Sequence, residues 1–473
     1  MDTFPPNRNQ RVLLVNPPYT FATYLSVGRN AGGLQHPILS LAYLGGSLKN
    51  TADVEILDLD VVDDPVATLH ATLARFRPDV VGITATTPIF PSLLKIAREV
   101  KTVRRETVIV AGGVHVSTRP LETFRSDDID VVVVGEADWF LKRFIESGHS
   151  TELPGAYFRT QVGIRFNGPA ELISNLDELP MPAWDLYDLP RYSASRLVER
   201  HSPGGLLETS RGCPYQCVYC NKATFGSQWR VKSVDRVIRE IKAMISRGFK
   251  EIHIEDDGFS TDLERAKTIC RRMITENLQI PWTILNGIRV DRVDRELFSL
   301  LKAADCYQVA FGVESGDEKI LKLVSKGIVL SQIEKAVRLA DMEGLETFGF
   351  FMLGLPGETR ASMLKTINLA MRLPFSIAKF AVTIPYPGTP LFEGLKAKNR
   401  ILHENWEEYL VHNVKKPVFQ HENLDWETIQ KYYKWAHRKF YFRPSQIWKQ
   451  LIGAVKNGSL TEKIRYFLRT KWV

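Results

Sequence analysis

Three of the five cysteines in this 473-residue chain, Cys213, Cys217 and Cys220, crowd into the string LLETSRGCPYQCVYCNKATFG. Three thiolates carried by one loop make a soft donor set, suited to zinc or to an iron-sulfur cluster. Structural zinc normally closes with four ligands, usually as two separated pairs. The nearest imidazoles here are His201 and His253, and Cys270 and Cys306 fall on helix-like and helix-to-strand segments farther on. Spacing alone therefore leaves zinc, or an incidental group of thiols, open. A cubane held by three cysteines would keep one iron open, and an open iron can take a substrate or cosubstrate.

The loop follows a short apolar strand. Further apolar strands occur at EIHIED, PWTILNG, CYQVAFGVESG, TFGFFMLGLPGE and IAKFAVTIPYPG, interleaved with amphipathic stretches such as DRVIREIKAMISRG. This alternation predicts a partial (βα)6 barrel over residues 205–392, with chemistry at the carboxyl ends of its strands. Those ends carry Glu208-Thr209, Glu255 to Asp257, Asn286 and Arg289, Glu314-Ser315, Gly354 to Glu358, and Pro385 to Thr389. A guanidinium such as Arg289 can grip a carboxylate bidentately, or can form a surface salt bridge. Asp256 and Asp257 could orient a ligand or cap the next helix, and Glu314 could serve a helix start.

Ahead of the barrel, β-branched runs at RVLLV, VEIL, DVVGIT, VIVAGG and DVVVVG alternate with helix-compatible segments over residues 1–150. That pattern predicts an α/β domain with a doubly wound, Rossmann-like parallel sheet, binding ligands beyond the carboxyl ends of its strands. The turns there hold Asn16 to Tyr19, Thr84 to Thr87 (with Thr86), Gly112 and Gly113 to His115, and Gly135-Glu136. A flavodoxin-like scaffold whose glycines serve only tight turns is the competing reading. No GxGxxG follows the first strand, which leaves a dinucleotide site without support. Residues 151–204 read as a small hairpin and a Pro-rich connector, and residues 393–473 as a helical extension rich in aromatic and basic side chains.

CxxxCxxC after a first barrel strand, with an aromatic (Tyr219) just before the third cysteine, resembles the signature of the radical S-adenosylmethionine superfamily. The resemblance implies a 4Fe-4S cluster on Cys213, Cys217 and Cys220, whose open iron chelates the amine and carboxylate of S-adenosylmethionine. It implies reductive cleavage to methionine and a 5'-deoxyadenosyl radical, with electrons from a donor such as flavodoxin or ferredoxin. Tyr219 would sit near the adenine, unless it only packs the loop. Glu314 would bond the ribose or amine, with Gly312 allowing close approach. Gly354 in GFFMLGLPGET would pass the adenine, and Asn286 and Arg289 would meet the cosubstrate carboxylate. IPYPGTPLF is similar to a phrase of the cobalamin-linked branch and would close the core near Phe392.

Residues 11 to 150 likewise resemble the cobalamin-binding domain that precedes many such barrels, through VLLVNPPY, HPILSLAYLGGSLK, PDVVGITATTP, VIVAGGVHVSTRP and VVVVGEAD. The resemblance implies cobalamin near Thr84, Thr86, Gly112, Gly113, His115 and Gly135. The Asp-x-His-x-x-Gly element that supplies a lower-axial histidine in methionine-synthase-like domains is absent, and Asn16, Pro17 and Pro18 stand in its place. Cobalamin is thus expected without a histidine ligand, with His115 bonded to backbone or to the corrin periphery.

The tail phrase FYFRP is similar to that of relatives of the anaerobic magnesium-protoporphyrin ester cyclase, some of which act on lipids or tetrapyrroles. With the class B methylases, this likeness implies methylation of an unactivated carbon of a small-molecule or lipid-like substrate. Oxidative cyclisation with the same cofactors is the alternative. A non-catalytic zinc or nucleic-acid scaffold is a third reading, although no nucleic-acid motif occurs. No residue is assigned as catalytic.

An apolar content of 44% excludes wholesale disorder, and the formal charge of +8 admits anionic partners without choosing among them. Scarce, clustered cysteines and the lack of an apolar run of spanning length point to the cytoplasm. The tail could still touch the inner face of the membrane as a peripheral contact.

Overall fold

The computed structural model describes residues 10–18, 36–192, 199–411, 416–456, 460–461 and 464. The first sheet is built on parallel strands β1 (Gln10–Asn16), β2 (Ala52–Asp58), β3 (Val80–Thr84), β4 (Val108–Gly112) and β5 (Val131–Val133). Antiparallel β6 (Ala156–Thr160) and β7 (Gly163–Phe166) follow, giving the order β2-β1-β3-β4-β5-β6-β7. The run VLLV is buried on both faces: Leu13 and Val15 point into one core, and Val12 and Leu14 into another. Such continuous apolar strands are what a sheet covered by helices on both sides requires. Strand order reverses between β1 and β3, which opens a crevice at their carboxyl ends. The hairpin expected in the connector instead extends this sheet through β5.

The connector is held by its isolated aromatics. Trp184, Tyr187, Leu189 and Tyr192 are buried in the core of the second sheet unit. The Tyr187 hydroxyl donates to the carbonyl of Ile38 at 2.8 Å, and that of Tyr192 to Asp58 Oδ2 at 3.0 Å.

The second sheet has six parallel strands. They are β8 (Gly204–Leu207), β11 (Glu251–Ile254), β12 (Trp282–Ile288), β13 (Cys306–Glu314), β14 (Glu346–Leu353) and β15 (Ile377–Val382), in the order β15-β14-β13-β12-β11-β8. Short antiparallel β9 (Ser210–Arg211) and β10 (Arg230–Val231) flank the cysteine loop. Alternation sends Ile252, Ile254, Phe351, Leu353, Phe380 and Val382 to the helix-covered face. Glu251, His253, Phe348, Phe350 and Lys379 take the opposite, inner face. The helix Val234–Arg247 shows how its sequence fits: Ser233 caps the Arg236 N–H, Gly248 closes the other end at φ +105°, and Val237, Ile238, Ile241 and Met244 bury one stripe.

The extension does more than the helical cover its composition suggested. Before its helices begin, Trp406, Tyr409, Val418 and Phe419, together with Ile384 and Phe392, enter the core of the first unit beside Phe90 and Val116. Trp406 Nε1 donates to Glu122 Oε1 at 2.7 Å. The helix Trp426–Tyr441 then lies along β15, where the Tyr441 hydroxyl donates to the Ala378 carbonyl at 3.0 Å. Among the described residues, no helix is long and apolar enough to cross a membrane.

Candidate active site

The cysteine loop is pinned on every side. Buried Asp256, just past β11, accepts from the N–H of Thr209 at 2.5 Å and of Ser210 at 3.2 Å, and from the Ser210 hydroxyl at 2.8 Å. It therefore fixes the turn into the loop and caps no helix. Gly212 has φ +82°, and a Cβ there would lie 2.2 Å from the carbonyl oxygen of Gln228, so only glycine fits. Val218 N–H reaches Val324 O at 3.1 Å, and Leu391 N–H reaches Val218 O at 2.8 Å. Asn221 Nδ2 donates to Pro387 O at 2.8 Å and to Thr118 Oγ1 of the first unit at 3.0 Å.

The three thiols differ in setting. Cys217 is buried, Cys213 half-buried and Cys220 exposed. A hydrogen bond from Cys220 lowers the Cys217 thiol to about 6 against the effect of burial, with help from the Lys326 ammonium. The Cys220 thiol is pushed up by the same bond, and the Cys213 thiol by burial. Cys270 and Cys306 lie in the hydrophobic core of the second unit, where burial raises both thiols. A low-pKa sulfur between two further thiols, next to a lysine, is a donor set that fits an anionic iron-sulfur cluster.

Glu314 ends β13 at φ +64°, a region that non-glycine residues rarely occupy and that marks a held conformation. Its Oε1 accepts from Lys326 Nζ at 2.8 Å. A Cβ on Gly312 would fall 2.7 Å from that Oε1 and 2.8 Å from that Nζ, so this glycine makes room for the ion pair. Burial opposes the charge on Lys326, but Glu314 and Cys217 hold its pKa above the usual lysine value. Tyr219 packs with Ile320, Val324 and Leu355, its hydroxyl beside the Cys217 sulfur. Gly354, at φ +81°, donates its N–H to Glu358 Oε2 at 2.6 Å. Glu358 is buried, and burial lifts its carboxyl to about 8.

Asn286 is exposed, with Nδ2 3.3 Å from the carbonyl of Asp256. Arg289 is occupied within the chain. Its Nε and Nη2 meet Asp291 at 2.9 and 3.1 Å, its Nη1 meets the Lys326 carbonyl at 3.1 Å, and its guanidinium carbon lies 3.5 Å from the Tyr215 ring centroid. The carboxylate it grips in this structure is therefore Asp291.

On the first unit, Gly112 ends β4 with open space where a Cβ would stand. Gly113, at φ +100°, could not carry a Cβ, which would meet Ala85 O at 2.6 Å and Thr84 Oγ1 at 2.9 Å. Gly135 follows β5 at φ +85°, and Thr86 precedes the turn Thr87–Ile89. Gly113 thus lets the chain pass Ala85, whereas Gly112 and Gly135 leave the backbone at two strand ends open to the close approach of a flat ligand, which fits a corrin. His115 is fully buried, its ring 4.2 Å from Phe90 and 5.1 Å from Trp406, with Nδ1 3.2 Å from Thr87 Oγ1. Burial lowers its pKa to about 3.

The two units meet through charge. Arg211 contacts Glu136 Oε1 at 3.1 Å, Asp138 Oδ2 at 2.9 Å and Glu208 Oε1 at 2.8 Å, and Arg230 contacts Glu136 Oε2 at 2.8 Å. All five side chains are buried.

Two family models match the chain, the Radical SAM superfamily over residues 207–370 and the B12 binding domain over residues 25–144. A protein of Pyrococcus horikoshii described as an uncharacterized methyltransferase is 35% identical over 448 residues, covering 93% of this chain and 94% of its own. The chain belongs to the cobalamin-binding branch of the radical S-adenosylmethionine superfamily. The cytidylyl-2-hydroxyethylphosphonate methyltransferase of Streptomyces wedmorensis is 28% identical, with 81% of each chain covered. Among solved structures, the cobalamin-dependent S-adenosylmethionine radical enzyme OxsB shares the fold with a TM-score of 0.73 at 18% identity, over 97% of this chain and 72% of its own. This radical SAM member is accordingly an enzyme whose cofactors are a 4Fe-4S cluster, S-adenosylmethionine and cobalamin.

Sequence reasoning missed Lys326 and Arg211, and it placed Glu136, Glu208 and Glu358 at strand ends without the partners they take. Nothing in the string VSKGI marks Lys326. The buried carboxylates did leave a trace in GEAD, two acids behind a strand-end glycine, and Arg211 stands just before Gly212-Cys213.

Proposed function

We propose that this enzyme transfers a methyl group to an unactivated carbon of a small-molecule or lipid-like substrate. Cys213, Cys217 and Cys220 would hold the cluster. Tyr219, Asn286, Gly312, Glu314 and Gly354 would face the cosubstrate, with Arg289 reaching it through the Lys326 segment that it braces. Thr84, Thr86, Gly112, Gly113 and Gly135 would border the cobalamin, with His115 behind them in the core. When bound, these groups supply a methyl donor and a hydrogen-abstracting radical. The chain's own part is to hold the two binding loops together, and the observation that carries the reading is that junction. Asn221, next to Cys220, bonds Thr118 of the first unit, and Arg211 bonds Glu136 and Asp138. Two cofactors so joined address one substrate between them.

Phe348 and Phe350, stacked at 4.7 Å on the inner face, with Lys379 Nζ 5.9 Å from the Phe350 ring, support a partly apolar substrate. In the helix Pro444–Lys456, Ile447, Trp448, Leu451, Ile452 and Val455 form one exposed stripe, which supports peripheral contact with a membrane from the cytoplasm. Flotation with anionic vesicles tests that contact, and a chain that stays at the bottom of the gradient refutes it.

Turnover of the reconstituted enzyme with a reductant, such as flavodoxin and its reductase, tests the chemistry. Methylation must yield S-adenosylhomocysteine and 5'-deoxyadenosine together. Oxidative cyclisation would give 5'-deoxyadenosine without S-adenosylhomocysteine, and would overturn the methylation reading.

A further inference from the structure

Away from the cysteine loop, three side chains from three parts of the chain converge. His36 stands just ahead of the helix Leu39–Leu48, Glu199 lies in the connector, and His253 projects from β11. Their ligand atoms all lie within 4.8 Å of one another. His36 Nε2 is 3.2 Å from Glu199 Oε2, and the two imidazole rings are 4.5 Å apart. Glu199 and His253 are only 2% and 0% exposed, yet Glu199 Oε1 and His253 Nε2 have no hydrogen-bond partner among the described residues. Water cannot reach such atoms freely, and leaving them unsatisfied is costly.

The surroundings are shaped for this arrangement. Thr283 Oγ1 lies 2.9 Å from His253 Nδ1, which turns Nε2 of that ring toward Glu199 and His36. A buried partner of this kind is what orients metal-binding imidazoles. Gly204 makes the room, since a Cβ there would stand 2.4 Å from Glu199 Oε1. Glu251 Oε1, which accepts from the Tyr307 hydroxyl, lies 3.3 Å from His253 Nε2 as a neighbouring second carboxylate. The nearby Arg200 guanidinium is spent on Glu346 at 2.8 Å and on the Tyr307 ring at 3.8 Å, so it does not balance the two carboxylates.

We propose that His36, Glu199 and His253 bind one divalent first-row transition ion, separate from the cluster, that ties the first unit, the connector and β11 together. Two imidazoles and a carboxylate are a nitrogen and oxygen set suited to zinc or iron(II), unlike the all-sulfur set of the loop.

The test uses full-length, tag-free protein with its iron-sulfur cluster reconstituted. The protein is loaded with Zn2+, dialysed against metal-free buffer, and measured for zinc and iron by mass spectrometry. About one zinc per chain is expected, with zinc–nitrogen/oxygen distances near 2.0–2.1 Å in X-ray absorption and no sulfur scatterer near 2.3 Å. His253→Ala should lose that zinc and keep its iron. Glu199→Gln, nearly isosteric, should weaken zinc retention at least ten-fold with an unchanged circular dichroism spectrum, which keeps the test alive if His253→Ala misfolds. Absence of retained zinc in the parent, a sulfur-bound zinc, or full retention by folded Glu199→Gln would each overturn the assignment.

Discussion

The guanidinium of Arg211, two residues before the first loop cysteine, lies 2.9 Å from the carboxylate of Asp138 in the first unit, and both side chains are buried. Removing the cation of a buried ion cluster strands the carboxylates it served, here Asp138 and Glu208, at a cost of about 3–5 kcal/mol. Arg211→Met should therefore lower unfolding stability by that order, and adding Asp138→Leu should recover part of the loss. Urea titration of the three proteins measures this. Equal midpoints for parent and Arg211→Met would show that the cluster contributes nothing.

The cysteines make the simplest test of the cluster. Anaerobically reconstituted parent should be brown with about four irons per chain. Cys213→Ala, Cys217→Ala and Cys220→Ala should each abolish S-adenosylmethionine cleavage. Cys270→Ala and Cys306→Ala, changed inside the core, should keep the colour and the cleavage despite some loss of stability. Full cleavage by Cys217→Ala would refute the cluster assignment.

Glu314 is held in a strained conformation with one oxygen on Lys326, which leaves its other oxygen for a ligand. Glu314→Gln should keep the iron and weaken S-adenosylmethionine binding by the value of a charge-assisted hydrogen bond, about 1.5–3 kcal/mol, or roughly ten-fold to a hundred-fold. Titration of the unreduced enzyme, followed through the cluster spectrum, gives the affinity. Parental affinity in the variant would mean that this carboxylate only pairs Lys326.

His115 is buried neutral, with its pKa lowered from 6.5 to about 3. For a depressed folded pKa the associated stability is present above pH 6.5 and is lost as pH falls toward 3, because the unfolded chain takes up the proton first. The loss runs at about 1.4 kcal/mol per pH unit below 6.5, or roughly 2.7 kcal/mol by pH 4.5. His115→Leu should lack this component, seen as a shallower pH dependence of the urea midpoint than in the parent. Parallel curves would place the imidazole in contact with water. The same burial predicts no nitrogen hyperfine splitting from this ring in the Co(II) spectrum.

The parallel strands and the cysteine loop were legible in the sequence because they depend on local signals. VLLV, VIVAGG and VVVVG name buried strands by composition, and CxxxCxxC names a ligand set by spacing. Arg289 could not be placed in the same way. Its pairing with Asp291 depends on a turn two residues long, and on Tyr215 from another element beneath it. Lys326 reaches Glu314 only because the segment after the helix Glu318–Leu323 folds back on β13. The partners of Arg211 in the first unit lie 73 and 75 residues away along the chain, a separation at which no periodicity carries information.

The burial of Trp406, Tyr409, Val418 and Phe419 in the core of the first unit bears on the order in which a ribosome can deliver a finished protein. That core is assembled from residues near the start of the chain, yet its last side chains emerge some 275 residues after the end of the B12-binding match at residue 144. At about 5–20 residues per second, the nascent domain waits roughly a quarter of a minute to a minute with the socket for Trp406 unfilled. During that interval the barrel, with its cysteine loop, is synthesised and can dock. Completion of the first unit thus follows synthesis of the whole barrel, and a chain cut after the barrel would leave both cores short of side chains, Trp406 and Phe419 from the first and Ile429 and Phe440 from the second.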